Sequence, residues 1–360
     1  MLTSLLPANN LPGKRKYNPI YMKNANLSQR KCWIDWMKAI GILVIVWGHA
    51  FPEVFTPFIY SFSVPLFFLV AGFLFKPTLT LREFFSKNFF LLIVPYLLLC
   101  LIKDFSHFVK YYDDFAELIK CPIGVLGGFH TFMDAPAAKN LWFVYSLFIL
   151  KFVSQLAKGN VVSIVLSAVA CVVGACVCDM YDFHPKWAFT NALLAMPYFA
   201  FGYLMSRKWK DGVSALVERI KSSNKVAMFM TLVVLACVLF CLSRINGPAW
   251  MYAGEYGNNM VLFYLLGLAG SFMVFVISAL LDDINLRPVG VISIGTIVIL
   301  QFHRDLYYPL GKIVKEMSAN GILEGVYSFV ASLLVVVAFI PVIMLLQRYF
   351  PLLIGNRKCK

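Results

Sequence analysis

The segment MKAIGILVIVWGHA, residues 37 to 50, has a lysine near one end and a histidine near the other of an otherwise apolar run. Lys38 and His49 are eleven positions apart. At 100° per residue their side chains return to within about 20° of one direction, about 16 Å apart along a helix axis. One face of one helix then holds a cation and an imidazole. Ionisable groups are costly in an apolar span, and where they occur they have a partner or a job. Neutral imidazole is a general base suited to neutral pH, able to take a proton from an attacking hydroxyl. The plainer alternative is an interfacial histidine that caps the helix ahead of Pro52. Lys38 has its own plain alternatives, a pair with Asp35 three residues earlier or a stem that snorkels to lipid headgroups.

The rest of the chain must position these groups inside a membrane. Of 360 residues 60% are hydrophobic and only 14% charged, with a mean hydropathy of +0.76, a balance that soluble domains do not have. Runs such as VVSIVLSAVACVVGACV and ASLLVVVAFIPVIMLL are apolar all round, which points to an all-α integral membrane protein. Ten spans are expected, near 34–51, 56–75, 89–103, 141–156, 161–178, 187–204, 226–243, 260–281, 288–303 and 323–346. They form one membrane domain, 33–346, between polar basic tails at 1–32 and 347–360. The first thirty or so residues are polar, too long a stretch for a cleavable signal peptide, and Met22 is a second candidate start.

Basic residues give the bundle a direction. With the N-terminus inside, alternate loops hold 22 Lys and Arg on the cytoplasmic side and nine on the other. The positive-inside rule then puts both termini in the cytoplasm of a multi-pass protein of the cell (inner) membrane. Lys38 lies toward the cytoplasm and His49 toward the outer surface. The ninth span also runs outward and ends in VILQFHRD, so His303 comes to the level of His49, and the two face one cavity. The net charge of +14 is explained by cytoplasmic loops and anionic lipids, without nucleic acid. Most of the nine cysteines lie in apolar runs, and no CxxC or Cys/His zinc spacing is present, so no metal is expected.

The stretches WIDWMKAIGILVIVWGHAF, IYSFSVPLFFLVAGFLF, IVPYLL and NLWFVYSLFILKF, in that order, resemble the acyltransferase 3 family of membrane acyltransferases. They look closest to sugar O-acetylases of the fucose 4-O-acetylase type, over nearly the whole of 33–346. The most specific element is a basic residue, ten intervening positions and a histidine, here Lys38 to His49, with Lys38 where arginine is commoner. The resemblance implies that His49 is essential for acyl transfer. It also implies an acyl-coenzyme A substrate as donor, acetyl or another short acyl, with no bound cofactor. Relatives often read FHMPLFF in the second span, whereas Ser63 stands in place of that histidine. Relatives also carry arginines just before the PY of the third span, where this chain offers only Lys87.

Weaker candidates complete the set. Trp142 opens the fourth span and can line a sugar cleft or anchor at the interface. Glu255, in the aromatic loop GPAWMYAGEYGNN, can meet an acceptor sugar or simply face water. Arg207 and Lys208 follow the sixth span, where they can attract donor phosphates or lipid headgroups. Catalysis is thus assigned to His49, Lys38 and His303, donor binding to Lys87, Arg207 and Lys208, and acceptor binding to Ser63, Trp142 and Glu255. The expected reaction moves an acyl group from cytoplasmic acyl-coenzyme A to a hydroxyl of an extracytoplasmic or lipid-linked glycan. The competing expectation is a transporter or flippase for a polysaccharide precursor, which needs neither a base nor a donor site. It would carry inverted repeats, and none is visible.

Overall fold

A computed structural model describes residues 31–355. Most of the N-terminal tail, Met22 included, and the last five residues of the C-terminal tail lie outside the described residues. Helices occupy all ten places where spans are expected: α1 (Cys32–Gly48), α2 (Thr56–Leu74), α3 (Leu81–Asn88) continued by α4 (Val94–Lys103), α7 (Trp142–Leu156), α8 (Val161–Met180), α9 (Ala188–Lys208), α11 (Lys225–Asn246), α12 (Met260–Leu280), α13 (Arg287–Ile294) with α14 (Thr296–Met317), and α15 (Gly321–Tyr349). Short helices α5 (Phe105–Lys110) and α6 (Phe115–Gly127) fill the long loop, and α10 (Lys210–Ser222) joins α9 to α11. A two-stranded hairpin pairs Thr131 with Pro136.

By length and composition seven of these helices can cross a membrane, or eight if the α13–α14 pair counts as one. The count of ten is not reached because α1 and α7 have only 17 and 15 residues. In sequence, flanking apolar residues extend both runs. In the fold α1 ends at Gly48, and Phe51, at φ 52°, turns the chain before Pro52. A second correction concerns the ninth span. It is not one rod, because α13 and α14 meet at 88°. Gly295 sits at the corner, where an added Cβ would come 2.3 Å from Ile343 of α15, so only glycine lets the corner press against that helix.

Two helices form the spine. Where α2 crosses α9, a Cβ on Gly72 would lie 1.9 Å from the Phe199 carbonyl oxygen, and one on Gly202 would lie 2.0 Å from that of Leu69. The backbones touch because neither position has a side chain, the usual basis of close helix pairing in lipid. By contrast, only 11% of the most apolar stretch of α8 and of the α11 segment is buried, so these are the lipid-facing outer helices. Between α3 and α4 the turn Phe89–Ile93 widens to π geometry, just before Pro95, which has no N–H to donate to the preceding turn. The segment after α15 does not trail away. It makes a 3-10 turn, Pro351–Ile354, that buries Ile354 beside α4.

Polar ties fix α1 against α13 and the loop before it. Ser293 donates to the Asp35 carboxylate at 2.6 Å, the Trp33 amide to Asp282 at 2.8 Å, and the Trp36 indole to the Ile284 carbonyl at 3.0 Å. Each joins segments about 250 residues apart in sequence, and the Ser293–Asp35 bond is buried, where unpaired polar groups are expensive. Together they hold the Lys38–His49 face of α1 toward α13 and α14.

Candidate active site

The face of α1 that carries Lys38 and His49 lines a cavity of about 700 Å³, shared with α2, α7, the π turn and the α13–α14 corner. Its middle is apolar, built from residues such as Ile42, Ile45, Phe67 and Leu300. Its ends are charged. Lys38, Lys76, Lys87 and Lys151 stand at one end, and Lys139, Lys186 and Arg304 at the other, beside His49. Among the described residues no aspartate or glutamate lines it. Seven cations line one space without a lining carboxylate, five of them exposed at its ends, an arrangement that favours anions.

His49 and His303 meet. Nε2 of His303 lies 3.0 Å from Nδ1 of His49. The other His303 nitrogen, Nδ1, is 2.9 Å from both the Ile299 and the Leu300 carbonyl oxygens. Carbonyl oxygens only accept, so Nδ1 of a neutral His303 carries its proton and Nε2 accepts one from Nδ1 of His49. That order leaves Nε2 of His49 with its lone pair free. His49 lines the cavity, whereas His303 is fully buried behind it. The two rings therefore stand in series, with one facing the cavity and the second orienting it. A proton taken up at His49 Nε2 would be supported through His303 by two backbone carbonyls, as in triads where a base is held by a third group.

The remaining candidates divide. Ser63, Trp142 and Lys87 line the cavity. Arg207 and Lys208 do not, lying exposed at the end of α9, with Arg207 over the Tyr203 ring at 5.3 Å. Glu255 is also exposed and outside it. The same loop instead sends Ala249, Met251 and Tyr252 into the wall, and Trp250 packs on Tyr60 at 4.6 Å.

Three contributors had no clear signal in the sequence. Lys151 projects from the interior of α7 toward Lys38 and Lys87, and Lys76 reaches the same end from the loop after α2. His130, in the loop after α6, stacks on Trp142 with ring centres 5.7 Å apart. With the Asn191 amide oriented to satisfy its neighbours, Asn191 accepts from His130 Nε2 at 2.9 Å and donates to the Met251 carbonyl at 2.9 Å. Burial, with some help from Lys186, pushes the His130 pKa down to about 3, so it is neutral at physiological pH. Only Lys151 left a trace, as the one charge within FVYSLFILKF.

Fold and site together describe a polytopic membrane protein with a buried histidine pair at the end of an anion-attracting cavity. Residues 32–346 match the acyltransferase 3 family, described as an acyltransferase domain, and the chain belongs to that family. No curated protein and no solved structure matches it.

Proposed function

We propose that this acyltransferase moves an acetyl or other short acyl group from acyl-coenzyme A to a hydroxyl of a glycan, with His49 as general base. The observation that carries this reading is the His49–His303 pair at one end of a cavity whose other end holds four lysines. The donor's phosphates sit among Lys38, Lys76, Lys87 and Lys151, and its thioester lies along the apolar middle toward His49. Four ammonium groups without a lining carboxylate suit a polyphosphate, and lysine serves as a point charge for such groups. The acceptor enters at the other end, where Tyr60, Trp142 and Tyr252 offer aromatic faces for a sugar ring.

In the reaction the acceptor hydroxyl oxygen attacks the thioester carbonyl carbon while its proton passes to Nε2 of His49. His303 holds the imidazolium through the Nδ1 contact. That attack forms the C–O bond; collapse of the tetrahedral adduct restores the carbonyl and breaks the C–S bond, and the proton on His49 goes to the leaving coenzyme A thiolate. The distribution of basic residues supports a cytoplasmic donor end and cytoplasmic termini, and the cell membrane is the membrane this reading assigns.

The test is transfer of labelled acetyl from acetyl-coenzyme A to glycan acceptors by purified protein in nanodiscs. Acceptor labelling by the wild type and its loss in His49→Ala support the reading. A protein that carries glycan across the bilayer without labelling it favours transport instead.

A further inference from the structure

The cations at the His49 end have no role in holding a donor whose phosphates lie at the opposite end, about 16 Å away along α1. Lys139 reaches the cavity from the turn just before α7, Lys186 from the loop before α9, and Arg304 from α14, next to His303. All three side chains are exposed at the mouth. None is in an ion pair among the described residues.

Of the two nearest carboxylates, Asp305 pairs with another cation, and Asp104, on which Lys139 and Lys103 both act, makes no ion pair among the described residues. Asp305 is held by Lys103, with both oxygens at 2.5 Å from Nζ. Asp104 accepts from the Cys121 thiol at 3.8 Å. Both line a small neighbouring pocket, which shares Lys139, Asn140 and Arg304 with the main cavity. Arg304 also lies over the Phe51 ring at 5.9 Å, which leaves its guanidinium edge available for hydrogen bonds. Three converging cations of this kind repel one another until an anion arrives, and guanidinium is well matched to carboxylate or phosphate.

We propose that the acceptor is itself anionic: a saccharide with a carboxylate or phosphate close to the hydroxyl that receives the acyl group, gripped by Lys139, Lys186 and Arg304. The assignment of this end to the acceptor rests on the acyl-transfer reading above. The anion sets register, because charge anchored by three side chains from separate elements leaves the sugar ring little freedom beside His49. Neutral saccharides of the same size keep only the aromatic contacts and are poor acceptors.

The test measures binding and transfer separately, with protein in nanodiscs of zwitterionic lipid. The probes are a hexuronate tetramer, a hexose phosphate and a neutral hexose tetramer. At least one anionic probe should bind about tenfold more tightly than the neutral one without donor, and several-fold more weakly as salt rises from about 50 to about 300 mM. The arm that binds tells carboxylate from phosphate. Lys139→Gln and Lys186→Gln should each weaken that probe by about three- to tenfold, with Lys139→Arg restoring most of it. Equal binding of the neutral tetramer, or glutamine variants that bind like wild type, overturns the proposal. So does retention of added anionic lipid at these residues with no saccharide bound. Anionic binding without label transfer to any probe keeps the anion site but ends the acyl-transfer reading. Equal transfer to neutral and anionic probes does the reverse.

Discussion

The two ends of the cavity are built by opposite means. At the lysine end, four flexible cations converge from α1, the loop after α2, α3 and α7, and charge rather than fixed geometry does the selecting. At the histidine end, one buried ring fixes another at 3.0 Å, and backbone carbonyls fix the buried ring. A bound nucleotide tolerates variation in where a phosphate sits, because a Coulomb field falls off gently. Proton transfer does not, since the base must lie within hydrogen-bond reach of the hydroxyl it deprotonates. On the proposed function, the difference teaches how a membrane enzyme is loose where it grips and tight where it reacts.

The sharpest way to break the contrast is His49→Ala. Loss of a positioned base should lower the acyl-transfer kcat by about 10²–10⁴-fold. Membrane insertion should persist, because His49 lies beyond the end of α1 and fills little of the core. Acetyl transfer by the purified variant checks this. His303→Ala should cost less, because it removes the orienting partner but leaves the base. His303→Gln should recover part of the rate, since its amide oxygen can still accept from Nδ1 of His49. Parallel kcat values for the three variants measure the contribution of the buried ring.

At the lysine end the effect should fall on KM. Lys38→Met and Lys151→Met should each raise the KM for acetyl-coenzyme A by roughly five- to fiftyfold, the scale of a lost charge-assisted contact. Lys38→Arg should remain near wild type, because guanidinium keeps the charge. Steady-state kinetics with saturating acceptor separates this from a loss in kcat.

The smallest expected effect concerns Asp104, behind the histidine-end rim. Burial, opposed by Lys139 and Lys103, pushes its pKa up to about 6 from the ordinary 3.8. The folded protein thus keeps a proton that the unfolded chain has already released. The stability this contributes is full below about pH 4 and is lost as pH rises through about 6. Thermal unfolding in detergent should therefore show Asp104→Asn melting higher than wild type at pH 8, with the advantage shrinking toward pH 4.

Much of this site could be read from the chain, and the reasons for the rest are physical. The Lys38–His49 relation is a matter of helical period, so spacing alone put both on one face. His303 followed from counting spans and aligning their ends. The series arrangement did not, because burial of His303 behind His49 is a matter of tertiary packing, and hydropathy registers neither that nor the 88° corner at Gly295. Lys151 and Lys76 join Lys38 only through packing between helices. Arg207, Lys208 and Glu255 are exposed and outside the cavity, which sequence does not show because a charge alone does not say which way it faces. The short lengths of α1 and α7 are hidden in sequence by apolar neighbours at their ends, which raises the expected count to ten against the seven or eight crossing helices of the fold.

The division of labour between the ends is tested most directly by the affinity of a non-transferable acyl-coenzyme A analogue for His49→Ala and for Lys151→Met. If the ends act as described, His49→Ala binds the analogue as wild type does while losing turnover, and Lys151→Met binds it at least about fivefold more weakly. If His49→Ala loses the analogue as severely as the lysine variant, or keeps wild-type turnover, the histidine end is not where the proton is taken.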